Sequence, residues 1–404
     1  MELALPKLIR VTTVPVAMYK LLQGQLKYLK KNFDVIGICS RERYFDELSQ
    51  SEEIKVLDVE IKRGIYLWRD FVSVLKLIII FKREKPLIIH SHTGKAGFVA
   101  MIAGKLSGVP IRIQTFTGVG FETTKGFYQK LFILTDKITC YCATKIIPEG
   151  DGVKKALLKF NITKKPLNII HNGNINGIDV DYFNPLLITN EIKSALRSSM
   201  NITDYDFVYC FIGRVVGDKG INELITSFDI LSKKYSDIKL ILVGPFENKL
   251  DSLKESSFDI IDNNNNIILT GLQQDVRPYL ALSNLFVFPS YREGFPNVLL
   301  QAGAMGLPAI VTDVNGSNEI IINEYNGLII EMKDVFSLTN AMERLYLNRD
   351  LVNHLSSKTR KRIVENFRRE DVWEAILTEY QLLISNYKNE IKNNKSLKLV
   401  KKWN

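Results

Sequence analysis

The chain has 404 residues, of which 46% are hydrophobic and 10% aromatic, and it carries a net charge of +10. That length exceeds one ordinary core, so two domains of similar size are expected. No apolar run of about 18 or more residues is free of charge, which excludes an expected spanning helix.

Residues 1–7 lack a basic segment followed by an apolar core, so no secretory signal is expected. Cys39, Cys140, Cys142 and Cys210 show no metal or disulfide spacing, and with four His a zinc site is not expected. A cytoplasmic location follows. Residues 1–185 hold 28 Lys and Arg against 17 Asp and Glu, residues 186–387 hold 20 against 26, and residues 388–404 hold 6 against 1. A basic first half and tail beside an acidic second half suggest that one face meets a polyanion.

Residues 8–14 read as a first strand and 20–31 as a helix with Leu21, Leu22, Leu26 and Leu29 on its apolar side. Strands follow at 33–39 and 54–59, then a long helix at 66–81 and a strand at 87–90. A helix at 96–106 stops at Gly108, a fifth strand covers 111–115, and 127–134 opens another helix. Residues 137–143, 144–147 and 167–171 are further strand candidates. Strands alternating with helices imply a parallel, doubly wound sheet.

Residues 172–179, Asn-Gly-Asn-Ile-Asn-Gly-Ile-Asp, are dense in turn formers and read as a linker. The alternation then restarts, with strands at 206–212, 239–243, 267–269, 285–288, 309–312 and 327–330. Helices lie at 221–234, 276–282, 297–305, 335–347 and 352–366, and a final amphipathic one at 372–387. The expected division is 1–180, 181–371, the helix 372–387 and a basic tail 388–404.

The stretch 285–302 concentrates the chemistry. A buried strand delivers a loop holding Glu293 and Gly294 to a helix that opens at Pro296, and Gln301 sits one turn in, on the face of Asn297. Free N–H groups and the positive end of the helix dipole converge at such a mouth. A second loop, 213–220, carries Gly213, Arg214 and Lys219, two fixed cations that suit a diphosphate. Weaker glycine turns lie at Gly244 and Gly271. Asp179-Val180-Asp181 is formally a D-x-D, but it lies in the linker and reads as structural. His90 reads as core, and His92 as facing the cleft on the opposite side, so no shared metal is expected. Thr117 and Glu122 follow the fifth strand. No dinucleotide fingerprint, Walker loop or serine elbow is present.

The Gly213-Arg214…Lys219-Gly220 loop, Glu293-Gly294-Phe295-Pro296-Asn297-Val298 and the Asp313…Gly316-Ser317-Asn318-Glu319 turn together resemble glycosyltransferase family 4, of GT-B fold. Val11-Thr12-Thr13-Val14-Pro15, residues 90–97 and Asn176-Gly177-Ile178-Asp179 resemble its bacterial capsule and O-antigen members. The resemblance implies two Rossmann-like domains facing a cleft, with the final helix crossing back to the first. The second domain would bind a nucleotide sugar, UDP- or GDP-linked, and the first a lipid-linked saccharide acceptor. Arg214 and Lys219 would hold the diphosphate and Glu293 the sugar hydroxyls. Gly213, Phe295, Pro296, Asn297, Val298, Gln301, Gly271 and Glu319 would complete the donor site. Transfer would retain anomeric configuration and need no metal or other cofactor.

Two positions depart from the family pattern. Gln301 stands where a second Glu is usual, and Thr117 where many members carry His, leaving His92, Thr117 and Glu122 as acceptor-side candidates. The basic first domain and tail would meet anionic lipid on the inner face of the plasma membrane. Nucleic acid is not expected, since no aromatic interleaving accompanies the charge. A sugar-nucleotide 2-epimerase and a non-catalytic sugar-nucleotide binder are the alternatives.

Overall fold

The structure is a computed structural model, described here for residues 5–400 except 65, 123 and 248–250, with no side-chain description beyond 393. Contacts divide the chain into two units, residues 1–176 with 370–404, and residues 177–369.

The first unit runs β1 (Lys7–Val11), α1 (Pro15–Leu21), α2 (Gln25–Leu29), β2 (Asp34–Cys39), α3 (Phe45–Glu52), β3 (Lys55–Asp58), α4 (Leu67–Glu84) and β4 (Ile88–Ser91). It continues with α5 (Gly94–Leu106), β5 (Ile111–Phe116), α6 (Gly126–Cys142), β6 (Lys145–Pro148) and α7 (Asp151–Lys159). Six parallel strands lie in the order β3-β2-β1-β4-β5-β6, with Ile9 of β1 facing Ile36 on one side and Ile89 on the other. A parallel sheet covered on both faces needs apolar residues on both. Ile9, Ile36 and Ile89 meet Val74 of α4, Val99 of α5 and Cys140 of α6 on one face. Leu8, Val35 and Ile88 meet Met18, Leu26 and Leu48 on the other.

The second unit contains α8 (Asn190–Ser199), β7 (Phe207–Ile212), α9 (Ile221–Ser232), β8 (Ile238–Val243), α10 (Glu255–Asn263), β9 (Ile267–Gly271), α11 (Arg277–Leu282) and β10 (Leu285–Phe288). Then come α12 (Asn297–Ala304), β11 (Ala309–Thr312), α13 (Ser317–Ile320), β12 (Gly327–Ile330), α14 (Val335–Leu347) and α15 (Arg349–Phe367). Its strand order, β12-β11-β10-β7-β8-β9, is again parallel. Strand order reverses between β7 and β10, and ligands of open α/β sheets bind outside the carboxyl ends of the strands at such a point.

The last helix, α16 (Arg369–Val400), is longer than the 372–387 span expected and takes in most of the basic tail; residues 401–404 lie outside the described residues. Its Val372, Ile376, Leu377 and Tyr380 are buried in the first unit's core beside Phe33 and Ile113.

Three readings are corrected. Residues 137–142 are the end of a helix that Ala143 caps in extended conformation; Asp136, Thr139, Cys140 and Cys142 are buried, and the first three have helical spacing. Residues 167–171 contribute only a bridge between Leu167 and Ile146. The helix expected at 20–31 is two helices, parted where the Gly24 N–H donates to Glu52 Oε1 at 2.6 Å.

Candidate active site

The two polar loops of the second unit leave β7 and β10, the strands flanking the switch point. Close backbone packing locks them together. Gly220 has φ +71°, and a Cβ there would stand 2.0 Å from the Pro289 carbonyl oxygen. On the far side of the Glu293 loop, a Cβ on Gly316 (φ +73°) would meet the Gly294 oxygen at 2.3 Å. Only glycine allows either approach. The Tyr291 N–H donates to the Asp218 carbonyl at 2.9 Å, and Arg292 pairs with the Asp218 carboxylate at 3.0 Å. The Tyr291 hydroxyl donates to Glu223 at 2.5 Å.

This clamp brings Lys219 and Glu293 together, Nζ to Oε1 at 2.5 Å, with only 16% and 12% of their side chains exposed. The Lys219 ammonium also lies 5.6 Å from the centre of the Phe288 ring. Arg214 is held differently. Its guanidinium donates to Glu247 at 2.9 Å and is 44% exposed. The Glu247 hydrogen bond, with weaker pulls from Asp218 and Glu293, raises its pKa, so the guanidinium stays charged.

Pro296 caps α12, Asn297 and Val298 open it, and Phe295 packs against Phe367 with ring centres 5.6 Å apart. Gln301 lies one turn further, half-buried. Gly213 follows β7 and Gly271 ends β9. The Glu319 carboxylate turns back to accept the Gly316 N–H at 3.3 Å. Asp179 accepts the N–H groups of Asp181 and Tyr182 and pairs with Arg369 at 2.9 Å, so the D-x-D is a turn.

In the first unit Thr117 Oγ1 donates to the His92 carbonyl at 3.1 Å, and Glu122, itself exposed, ends a 3-10 turn whose Phe121 is buried. His90 and His92 do not part to opposite sides. Residues two apart on a strand share a face, and the rings stack with centres 4.2 Å apart. With Thr115, Glu149, Asn174 and Ile376 they line a hollow of about 10 Å³. His92 is 2% exposed, and neither ring nitrogen has a hydrogen-bond partner among the described residues. Burial, then Arg10, pushes its pKa well down and leaves it neutral.

Two residues escaped the sequence reading. Asp218, within the 213–220 loop, ties the two loops together through its carbonyl and its carboxylate. Arg10 is fully buried and bonds to His90, Gln25 and Tyr380. A charge in the middle of an apolar strand was the available signal for it.

Two doubly wound parallel sheets, the second with its polar loops clamped at the switch point, define the GT-B class of glycosyltransferases. Residues 193–362 match the family described as glycosyl transferases group 1, and residues 13–149 the glycosyl transferase 4-like family. The chain belongs to these family 4 glycosyltransferases. The capsular polysaccharide biosynthesis glycosyltransferase CapM of Staphylococcus aureus is 34% identical over 366 residues, 90% of this chain and 94% of that protein. An Escherichia coli UDP-Gal:alpha-D-GlcNAc-diphosphoundecaprenol alpha-1,3-galactosyltransferase is 28% identical, over 83% of this chain and 86% of its own. The fold also matches the crystal structure of Anabaena HepE in complex with UDP, at TM-score 0.79 and 16% identity, over 93% of this chain and 99% of that one.

Proposed function

We propose that this glycosyltransferase moves a hexosyl or N-acetylhexosaminyl group from a UDP- or GDP-sugar to a lipid-diphosphate-linked saccharide in the assembly of a surface polysaccharide. The clamped Lys219–Glu293 pair carries the reading. A cation and a carboxylate at one loop mouth suit a diphosphate beside sugar hydroxyls. Arg214 adds a second positive charge, and the helix mouth at Phe295 to Val298 offers N–H groups to the phosphate. The named substrates of the Escherichia coli relative support the acceptor class.

Three finer points belong to the same reading. Transfer retains anomeric configuration. It proceeds without metal, because Arg214 and Lys219 neutralise the departing diphosphate. The enzyme works peripherally on the inner face of the plasma membrane, supported by the basic excess of residues 1–185 and 388–404.

The test is incubation of a panel of nucleotide sugars with a polyprenyl-diphosphate-linked sugar, with and without a chelator. The expected outcome is one extended lipid product, formed at an unchanged rate in chelator, whose new linkage has the donor's configuration by NMR. An epimer formed from donor alone, or binding without turnover, would replace this reading by an epimerase or a non-catalytic binder.

A further inference from the structure

Helix α4 buries Asp70, Ser73, Val74, Leu77 and Phe81. A helix on a sheet of a water-soluble domain places charges on the side opposite. Here that side exposes Leu67, Trp68, Phe71, Leu75 and Ile79, with Trp68 75% and Ile79 65% exposed. Their spacing of three and four residues makes a stripe. Helix α6 repeats the arrangement, with Phe127, Leu134 and Tyr141 exposed in one row. Helix α5 packs between the two and adds exposed Leu106. Lys105 Nζ lies 3.4 Å from the centre of the Tyr141 ring.

The charges on these helices are one-sided. Asp70 is buried and bonded to Lys95. Glu84 accepts Lys7 at 2.7 Å, and Asp136 is buried. Among the described residues, every exposed charged side chain on the three helices is basic: Arg69, Lys76, Lys82 and Arg83 on α4, Lys105 on α5, Lys130 and Lys137 on α6. The exposed carboxylates Glu60 and Glu122 stand outside the helices.

We infer that the outer face of α4, α5 and α6 docks on an anionic phospholipid surface, with Trp68, Phe71 and Phe127 entering the headgroup layer and the Lys and Arg side chains meeting lipid phosphates. Aromatic side chains and snorkelling bases are the pairing that an interface between headgroup and acyl chain takes. No described helix is long and apolar enough to cross a membrane, so the face lies on the bilayer. A second copy of the chain is a poorer occupant, because it would set bases against bases. The inference rests on the peripheral location proposed above and names the surface that carries it.

Flotation with vesicles rich in phosphatidylglycerol, against vesicles of phosphatidylcholine alone, tests it on the full chain. The wild type is expected to float with the anionic vesicles and to be released by salt. Trp68→Ser with Phe71→Ser, and separately Lys76→Glu with Lys137→Glu, are each expected to lower partitioning by about tenfold or more. All four positions are exposed, so the fold is retained, which circular dichroism checks. Flotation of both variants like the wild type, or no flotation of the wild type, overturns the proposal. So does a wild-type dimer that the serine variant converts to monomer, which would assign the face to a second copy. No donor or acceptor is present, so this outcome is separate from any failure of sugar transfer.

Discussion

Lys219 Nζ and Glu293 Oε1, 74 positions apart in the chain, stand 2.5 Å from each other. The two loops after β7 and β10 are therefore one structural unit, and each side chain depends on the other for its place. Lys219→Ala and Glu293→Ala are each expected to lower kcat by about 10²–10³-fold, the usual effect of losing a preorganised electrostatic group. Circular dichroism is expected to stay native. A double-mutant cycle on urea unfolding should return a coupling of about 0.5–3 kcal/mol. Activity retained in both single variants would remove this pair from the site.

Gln301 is an amide on the helix that opens beside Glu293. A carboxylate accepts hydroxyl hydrogens more strongly than an amide oxygen does. Gln301→Glu is expected to tighten nucleotide-sugar binding by about 1 kcal/mol, roughly fivefold. Calorimetric titration of both forms checks this, and an unchanged Kd would place Gln301 away from the donor.

The Tyr380 hydroxyl is 2.5 Å from Arg10 Nη1 and 2.6 Å from His90 Nδ1, in a site closed to solvent. Tyr380→Phe removes a partner from a buried guanidinium whose hydrogen-bonding partners among the described residues, His90, Gln25 and Tyr380, include no carboxylate. A destabilisation of about 1–3 kcal/mol is expected in urea unfolding. A change below about 0.5 kcal/mol, the range of ordinary surface substitutions, would show that the network tolerates the loss.

Burial pushes the Asp136 carboxyl up to about 7 from its ordinary 3.8. Between those values the folded chain holds a proton that the unfolded chain has released. Stability therefore falls as pH rises through this window, and the loss is complete above about 7. Asp136→Asn is expected to raise the melting temperature at alkaline pH and to flatten its decline from acid to neutral. Parallel melting curves for the two proteins would contradict it.

His90 and His92 shift the opposite way. Burial, then neighbouring His92 and Arg10 charge, holds His90 well below 6.5, and burial and Arg10 do the same to His92. Both are neutral in the fold, whereas the unfolded chain takes up protons below about 6.5. The fold is expected to lose stability as pH falls below that value. His92→Phe keeps a ring beside His90 and should reduce the slope, as read by urea unfolding across the acid range.

Strand and helix alternation in both halves was legible because buried parallel strands such as β7 are apolar throughout. The 285–302 stretch was legible for the same reason, together with Pro296 at the helix mouth. Residues 137–143 misled because Ile138, Thr139 and Tyr141 have strand propensity, and packing of α6 against the sheet overrides it. The Lys219–Glu293 contact was not legible from spacing, since closing 74 residues depends on the tertiary fold. Nor was the stripe on α4, where Leu67, Phe71, Leu75 and Ile79 count as apolar positions whichever side of the helix is covered. Periodicity identifies a face without saying what meets it.

The segments that enter and leave the second unit are bonded to each other, Ile178 N–H to Phe367 O at 2.8 Å and Arg369 N–H to Ile178 O at 3.0 Å. One unit thus begins and ends at a single point, while the other is split in sequence around it. During synthesis, the unit made first lacks Val372, Ile376 and Tyr380 until the segment that follows the second unit has left the ribosome. The buried Arg10 lacks its Tyr380 partner for that interval. The half made later is able to close first, and a chain truncated before residue 370 would leave its opening half incomplete.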